Sequence, residues 1–471
     1  MKRRTFVRRA GSAALLATGP LGLGIRPSLS TKWDRYGGSP RVKGEKTGYF
    51  HLENINGRWW LISPEGNSFL SFGINHIYPE LMKRDENRNF WEKRLGVADL
   101  EDKVEFYPAL EKKVAADMEA FGFNVFGCHT PTEYYTNLRF PYVKQILFAP
   151  ICHFRSLTEE SFADVFSPDF ARMCDTMAKV ICHPLRDDPY LIGYKFANCP
   201  VWREEESRAR EVVMYGGPRK ETPTWPRVLR NLPPEAPGKR AYVGFMQKRY
   251  DKNISHFNQV YTTSFSSFEE LRNATDWRKE ADTDNQAELQ DLDSFLLTVL
   301  EQYYEVICGA IRKYDRQHMI LGDKINGNTQ TPVEIVRLTA KYSDLIYYQW
   351  YGLYDEQKPR LDAWSAATQV PLYNADSCYS TPSERMPHPN GPHCASQEQR
   401  AQVSAAFARQ AFARPDFVGW DHCGWMDSWN TAPKQQDRQH SGLQDPFGNY
   451  HEPMRKAFRQ FSDEKYRIVG G

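Results

Sequence analysis

The 471-residue chain has almost no surplus charge of either sign, since 61 Lys and Arg stand against 59 Asp and Glu and leave a formal net charge of +2. A protein that grips phosphate backbones needs a basic excess, so nucleic acid is set aside as a partner. Beyond the N-terminus no apolar run approaches the ~20 residues needed to span a bilayer, and no membrane insertion of the mature form is expected. There is no internal repeat, which argues against a solenoid or propeller. The nine cysteines include no Cys-x-x-Cys pair, so no zinc-ribbon spacing supports a metal. Nine is odd, so at least one is not in an internal disulfide. Cys378 and Cys394 share one loop-like stretch that a disulfide would close, and Cys174, Cys182 and Cys308 lie in helical segments and read as small core residues.

The chain is rich in aromatic side chains, which make up 14% of it with 12 Trp and 25 Tyr; flat rings fill cores and also stack on the apolar faces of sugars. At the N-terminus, Lys2-Arg3-Arg4-Thr5-Phe6-Val7 precedes a short apolar run from Ala13 to Leu23. A charged start, a short apolar stretch and small residues make a signal peptide, here of the twin-arginine type, with cleavage near Ser28–Thr31. This reading divides the chain into a leader, 1–30, and a domain, 31–470, exported to the periplasm or the outside.

Residues 31–56 are polar and Gly-rich, and the segment from Gly57 reads as a hairpin through Pro64-Glu65-Gly66-Asn67. Its return strand, Phe69–His76, is expected to be the first strand of a barrel. Further strands are expected at Asn124–His129, Ile146–Pro150, Leu191–Phe196, Met319–Gly322, Leu345–Trp350, Leu372–Asp376 and Phe417–His422. Helical periodicity marks 110–121, 168–183, 288–314, 331–341 and 397–413 between them. Helices alternating with short apolar strands indicate a parallel sheet covered on both faces, and eight strands favour an α/β fold of the (β/α)₈ TIM-barrel type. The Pro- and Trp-rich stretch 200–287 is a large insertion after strand four.

Chemistry in such barrels sits at the C-terminal ends of the strands. Falling there are Asn75-His76, Cys128-His129, Cys152-His153, Asn198-Cys199, Asp323-Lys324, Gln349-Trp350-Tyr351, Asp376-Ser377 and Asp421-His422-Cys423. The stretches YFHLENINGRWWLISPEGNSFLSFGIN, AFGFNVFGCHT, DDPYLIGYKFANC and FVGWDHCGWMDS resemble agarase-like glycoside hydrolases, and the segment from His256 to Leu271 is also similar to family 42 β-galactosidases. The resemblance implies a barrel enzyme that uses two glutamates in a retaining mechanism, but neither glutamate is present. Cys199 stands where the acid/base Glu would be, after a retained Asn198, and Asp376 stands where the nucleophile would be. Tyr351 matches a tyrosine near the nucleophile, while His129 and His422 replace aromatics.

Retaining hydrolysis holds two carboxyls about 5–5.5 Å apart. An Asp in place of Glu withdraws the carboxylate by about one C–C bond, roughly 1.5 Å, which leaves room for a water. The leading expectation is cleavage of glycosidic bonds in a polysaccharide or its oligosaccharides. Asp376, Cys199 and His422 are the catalytic candidates, and Asn75, His129, Asn198, Trp350, Tyr351 and Trp425 the substrate-binding ones. The proton donor stays open among Cys199, the histidines and Glu204-Glu205-Glu206. Three other readings stand beside it. The first is β-elimination on a uronate, with Tyr194, Tyr348, Tyr351 or His422 as base. The second is a zinc site drawn from Cys128, His129, Cys152, His153, Cys199, Asp376, His422 and Cys423. The third is a non-catalytic sugar-binding barrel whose Trp350, Trp420, Trp425 and Trp429 stack on glycans. No cofactor is required by the leading reading, and the oligomeric state is not legible.

Overall fold

Apolar strands that alternate with amphipathic helices must be covered on both faces, and the computed structural model shows their sheet closed on itself. It describes residues 33–135, 137–149, 162–204, 206, 223–329, 331–429 and 440–470. The proposed leader, Cys152, His153 and Glu205 lie outside the described residues. An antiparallel sheet comes first, from β1 (Ser39–Lys43), β2 (His51–Ile55), β3 (Arg58–Ile62) and β4 (Asn67–Phe69), in the order β1-β4-β3-β2. The barrel follows as β5 (Ser71–Ile74), β6 (Val125–Phe126), β7 (Tyr142–Gln145), β8 (Leu191–Asn198), β9 (Met319–Asn326), β10 (Ile346–Gln349), β11 (Leu372–Ser377) and β12 (Phe417–His422). All eight pair in parallel, and β12 closes on β5 with Gly419 opposite Ser71 and His422 opposite Ile74. The fold is a (β/α)₈ barrel with an added antiparallel sheet.

Helices cover the outside: α1 (Arg88–Leu95), α2 (Lys103–Phe121), α3 (Pro168–Leu185), α4 (Trp225–Arg230), α5 (Pro237–Arg249), α6 (Ile254–Tyr261), α7 (Phe268–Asn273), α8 (Gln286–Tyr314), α9 (Val333–Tyr342), α10 (Tyr354–Thr368), α11 (Gln397–Ala413) and α12 (Glu452–Ile468). The helix expected to stop at Gly122 does so because that glycine adopts a left-handed φ of 77°, ending α2 on Met118 and Glu119 carbonyls. The barrel interior is filled by Val125, Val143, Ile192, Leu321, Tyr347, Tyr373 and Val418. Phe50, Leu61 and Phe69 of the small sheet and its approach pack into the same cluster, so the sheet closes the end of the barrel opposite the strand C-termini.

Four expectations change. The polar segment 31–56 supplies β1 and β2. The return strand of the hairpin is divided at Leu70, because Phe69 pairs with Leu61 in the small sheet whereas Ser71 pairs with Gly419 in the barrel. The third barrel strand is Tyr142–Gln145 rather than 146–150: the apolar run Ile146-Leu147-Phe148 lies beyond it, with Leu147 55% exposed. Cys378 and Cys394 are both free thiols, so no disulfide closes their loop.

The insertion docks as α4–α7 against α8, with Trp225 edge-on to Tyr303 at 5.2 Å and Tyr242 on Phe295 at 5.4 Å. Its anchor is charged. Glu288, fully buried in the first turn of α8, accepts from Arg230 at 2.7 Å and from Arg278 Nε at 2.9 Å. Removing a buried partner strands the opposite charge, which costs about 3–5 kcal/mol. Glu288→Ala is therefore expected to lower the unfolding free energy by about that much in urea titration. Glu301→Ala, which breaks an exposed pair with Lys341, is expected to change it by less than about 1 kcal/mol.

Candidate active site at the barrel mouth

Simple alternation along β9 would point Asp323 into the barrel with Met319 and Leu321. The structure does the reverse. Lys195 of β8 pairs with Gly322 after Tyr194 has paired with Ile320, so β9 carries an extra residue, and Gly322 takes a φ of 76° that side chains resist. Beyond this bulge Asp323 turns outward to Tyr303 and Tyr304 of α8, at 3.2 and 2.5 Å, and Lys324 turns inward. A second register shift, between Asn374 opposite Tyr348 and Asp376 opposite Gln349, turns Asp376 inward one residue after the inward Ala375.

The two meet. Lys324 Nζ donates to Asp376 Oδ2 at 2.7 Å and to His129 Nε2 at 2.7 Å. Burial disfavours all three charges. Asp376 more than restores that of Lys324, whose ammonium is held above its ordinary value. Burial also opposes the charge of Asp376, but the Lys324 ammonium beside it outweighs that and holds the carboxyl well below the usual range. His129 is pushed far below its ordinary value by burial and then by Lys324, so it is neutral and accepts the lysine proton. Asn75 holds the frame: its amide donates to Ala375 O at 2.7 Å and Asp376 Oδ1 at 3.2 Å, and its oxygen accepts from the His129 backbone at 3.1 Å. Gly127 permits this approach, since a Cβ there would collide with Asn75 Oδ1.

Of the residues singled out in the sequence, Asp376, His129 and Asn75 come together, although Asn75 is fully buried and positions neighbours rather than meeting substrate. Cys199 follows β8 with a left-handed φ of 47°, fully buried, its N–H on Lys324 O at 2.9 Å; Asn198 pairs in register with Lys324. Tyr351 packs with Cys378 and Cys423. Trp350 is half-buried on a groove with Arg203, Asn328, Glu356 and Arg360.

Other candidates are placed elsewhere. His422 turns outward, wedged against Trp420 and Phe458, and neither ring nitrogen has a hydrogen-bond partner among the described residues. Trp425 is 1% exposed and donates to Asp117 at 2.7 Å, so its face is closed to sugar, as is that of the fully buried Trp420. Tyr194 and Tyr348 face outward, onto Asp315 and Trp364, which removes them as bases for elimination. Cys128 belongs to the interior cluster. Glu204 is committed to Arg227 and Thr224. Sequence reasoning placed Lys324 at a strand end without a role and gave His76 none, and it missed His440; the bulges carry no alternation signal, and His440 sits in a loop.

No known protein-family profile matches the chain. Over 435 residues, 78% of the chain, it is 21% identical to β-agarase B of Vibrio sp. (strain JT0107), and over 377 residues, 68% of the chain, it is 21% identical to β-agarase A of that strain. The chain spans 43% and 36% of the lengths of those two relatives. A solved exo-β-agarase superposes with a TM-score of 0.73 at 20% identity, over 94% of this chain and 68% of the other. A β-galactosidase from the psychrophilic Marinomonas ef1 superposes with a TM-score of 0.52 at 11% identity, over 85% and 60%. The chain is agarase-like in sequence and in fold. Among the described residues no helix is long and apolar enough to cross a membrane.

Glu206 stands apart from the mouth's ion pair. Its Oε2 accepts from Trp202 N at 2.7 Å, its Oε1 has no hydrogen-bond partner among the described residues, and burial pushes its carboxyl up to about 7. A folded-state pKa above the unfolded one means the folded chain binds the extra proton, so this group's support is present below about 4.5 and lost as pH rises through about 7. Glu206→Gln is expected to raise Tm relative to the parent at pH 8 and to leave it nearly equal at pH 4.5, read by thermal melts across that interval.

Proposed function

We propose that the chain is a carbohydrate-active enzyme that hydrolyses glycosidic bonds in a polysaccharide or its oligosaccharides. The observation that carries this reading is the buried Asp376–Lys324 pair at the ends of β11 and β9, which fixes a carboxylate at the barrel mouth. Lys324 occupies Oδ2, while Oδ1 takes the longer Asn75 contact at 3.2 Å and lies 3.9 Å from His76 Nε2. A fixed negative oxygen in a desolvated site stabilises the positive charge that grows on the anomeric carbon as the bond to the leaving oxygen breaks. Water then supplies oxygen to that carbon, and a proton goes to the leaving oxygen. The sequence likeness to two β-agarases supports a polysaccharide substrate. The paired arginines near the N-terminus support export of the chain to where polymers too large to cross a membrane are met, with the working domain over 31–470.

Cys199 is a poor source of that proton, because a thiol is a weak hydrogen-bond partner and its ordinary pKa of about 8.5 is mismatched to a neutral optimum. Reducing-sugar release from marine and plant polysaccharides is the assay. Asp376→Asn is expected to cut kcat by orders of magnitude, and Cys199→Ser by less than about tenfold, or ~1.4 kcal/mol of barrier. Full activity in Asp376→Asn would reject the assignment, and a larger loss at Cys199 than at Asp376 would move the chemistry to the thiol. Products that absorb in the near ultraviolet would indicate elimination instead.

A further inference from the structure

Beside Asp376 the mouth collects donor atoms that hydrolysis does not use. His76 follows β5, Cys423 follows β12, and His440 lies in the segment before α12. Each offers one ligand atom, and these atoms all lie within 4.8 Å of one another. Cys423 Sγ is 3.1 Å from His440 Nδ1, and the His76 and His440 rings are 4.6 Å apart between centroids. These contacts come from three separate stretches of chain, and their backbones are individually fixed. His76 is turned toward the group by a left-handed φ of 60°, Cys423 N donates to Ser377 O at 3.0 Å, and His440 N donates to Ser428 Oγ at 2.6 Å. Cys423 is fully buried.

We propose that His76, Cys423 and His440 form a binding site for a soft divalent metal ion of the zinc class, held by three protein ligands with a fourth position left open. Two imidazoles and a thiolate are the donor set that such ions prefer over calcium or magnesium. Bonds of about 2.3 Å to sulfur and 2.0–2.1 Å to nitrogen set tetrahedral ligand atoms about 3.3–3.6 Å apart. The Cys423–His440 pair already lies near that spacing, and the widest separation in the group closes by small side-chain rotations. Asp376 Oδ1 is 3.9 Å from His76 Nε2, so a carboxylate oxygen stands beside one of the ligands. The ligand set differs from the one expected from the sequence: His422 is turned away, Cys128 lies in the barrel interior, and of the expected ligands that are described only Cys423 is retained.

The inference stands apart from the hydrolytic reading, and its test needs no substrate. The purified full chain, stripped with a chelator, is titrated with zinc against a chromogenic competitor and, separately, with cobalt(II). One equivalent of zinc is expected to bind. Cobalt is expected to give the visible bands of a tetrahedral site and a near-ultraviolet sulfur-to-metal charge-transfer band. Losing a ligand should weaken zinc binding at least as much as losing an outer-shell partner does, about 100-fold, so Cys423→Ser and His440→Ala are each expected to do so. Cys423→Ser is also expected to abolish the sulfur band, whereas Cys308→Ser, in α8, is expected to leave both readouts unchanged. His440→Ala, in a loop, serves as the independent variant if the buried Cys423→Ser chain fails to fold. Less than a tenth of an equivalent of zinc, or affinity and spectrum unchanged in His440→Ala, would overturn the proposal.

Discussion

Lys324 is fully buried and Asp376 only 4% exposed at the barrel mouth, where a lone charge would be forced to neutralise. Together they remain ionised, and the rest of the site is arranged by that fact. The ammonium sets His129 as an acceptor. The carboxylate sets the Asn75 amide, which in turn fixes the backbone after β6. Taking away either charge would leave the other uncompensated among neighbours that were oriented for the pair.

The pair also explains what was legible in the sequence. Apolar strands and amphipathic helices follow from periodicity, so β8, β11, β12 and the long α8 are plain from the order of the residues. The direction of a side chain at a strand end is not, once a bulge has intervened. Asp323 and Lys324 are adjacent, and only the left-handed turn at Gly322 decides which one enters the barrel. β12 is bulged as well: Leu372 pairs with Phe417 but Tyr373 with Gly419, so alternation from the inward Val418 would have turned His422 inward too. Past that bulge Asp421 is inward on Tyr373, Trp420 and His422 both face the helices, and the catalytic role expected for His422 falls. The third strand was misplaced because a short apolar run looks the same in a strand and in the loop after it.

The structure separates what holds the fold from what lines the mouth. The insertion leans on Glu288 and a wall of aromatic rings, far from Asp376 in its contacts, and so can vary in sequence without disturbing the ion pair. The mouth instead draws on residues that follow different strands: Asn75 and His76 after β5, His129 after β6, Cys199 after β8, Lys324 on β9, Asp376 on β11 and Cys423 after β12. Such a site tolerates change one loop at a time.

The pairing of β5 with β12 has a consequence for how the molecule comes into being. Asn75 donates its backbone N–H to His422 O at 2.9 Å, and Tyr466 of α12 bridges Leu70 N and Ser68 O at 3.0 and 3.1 Å. These contacts join stretches more than three hundred residues apart along the chain, so they form late and contribute a high contact order that slows folding. During synthesis the first barrel strand waits, one edge bare, until β12 has left the ribosome. The mouth therefore cannot ripen piecemeal: before the ring closes Asn75 has no seat, and afterwards the whole assembly is in place at once.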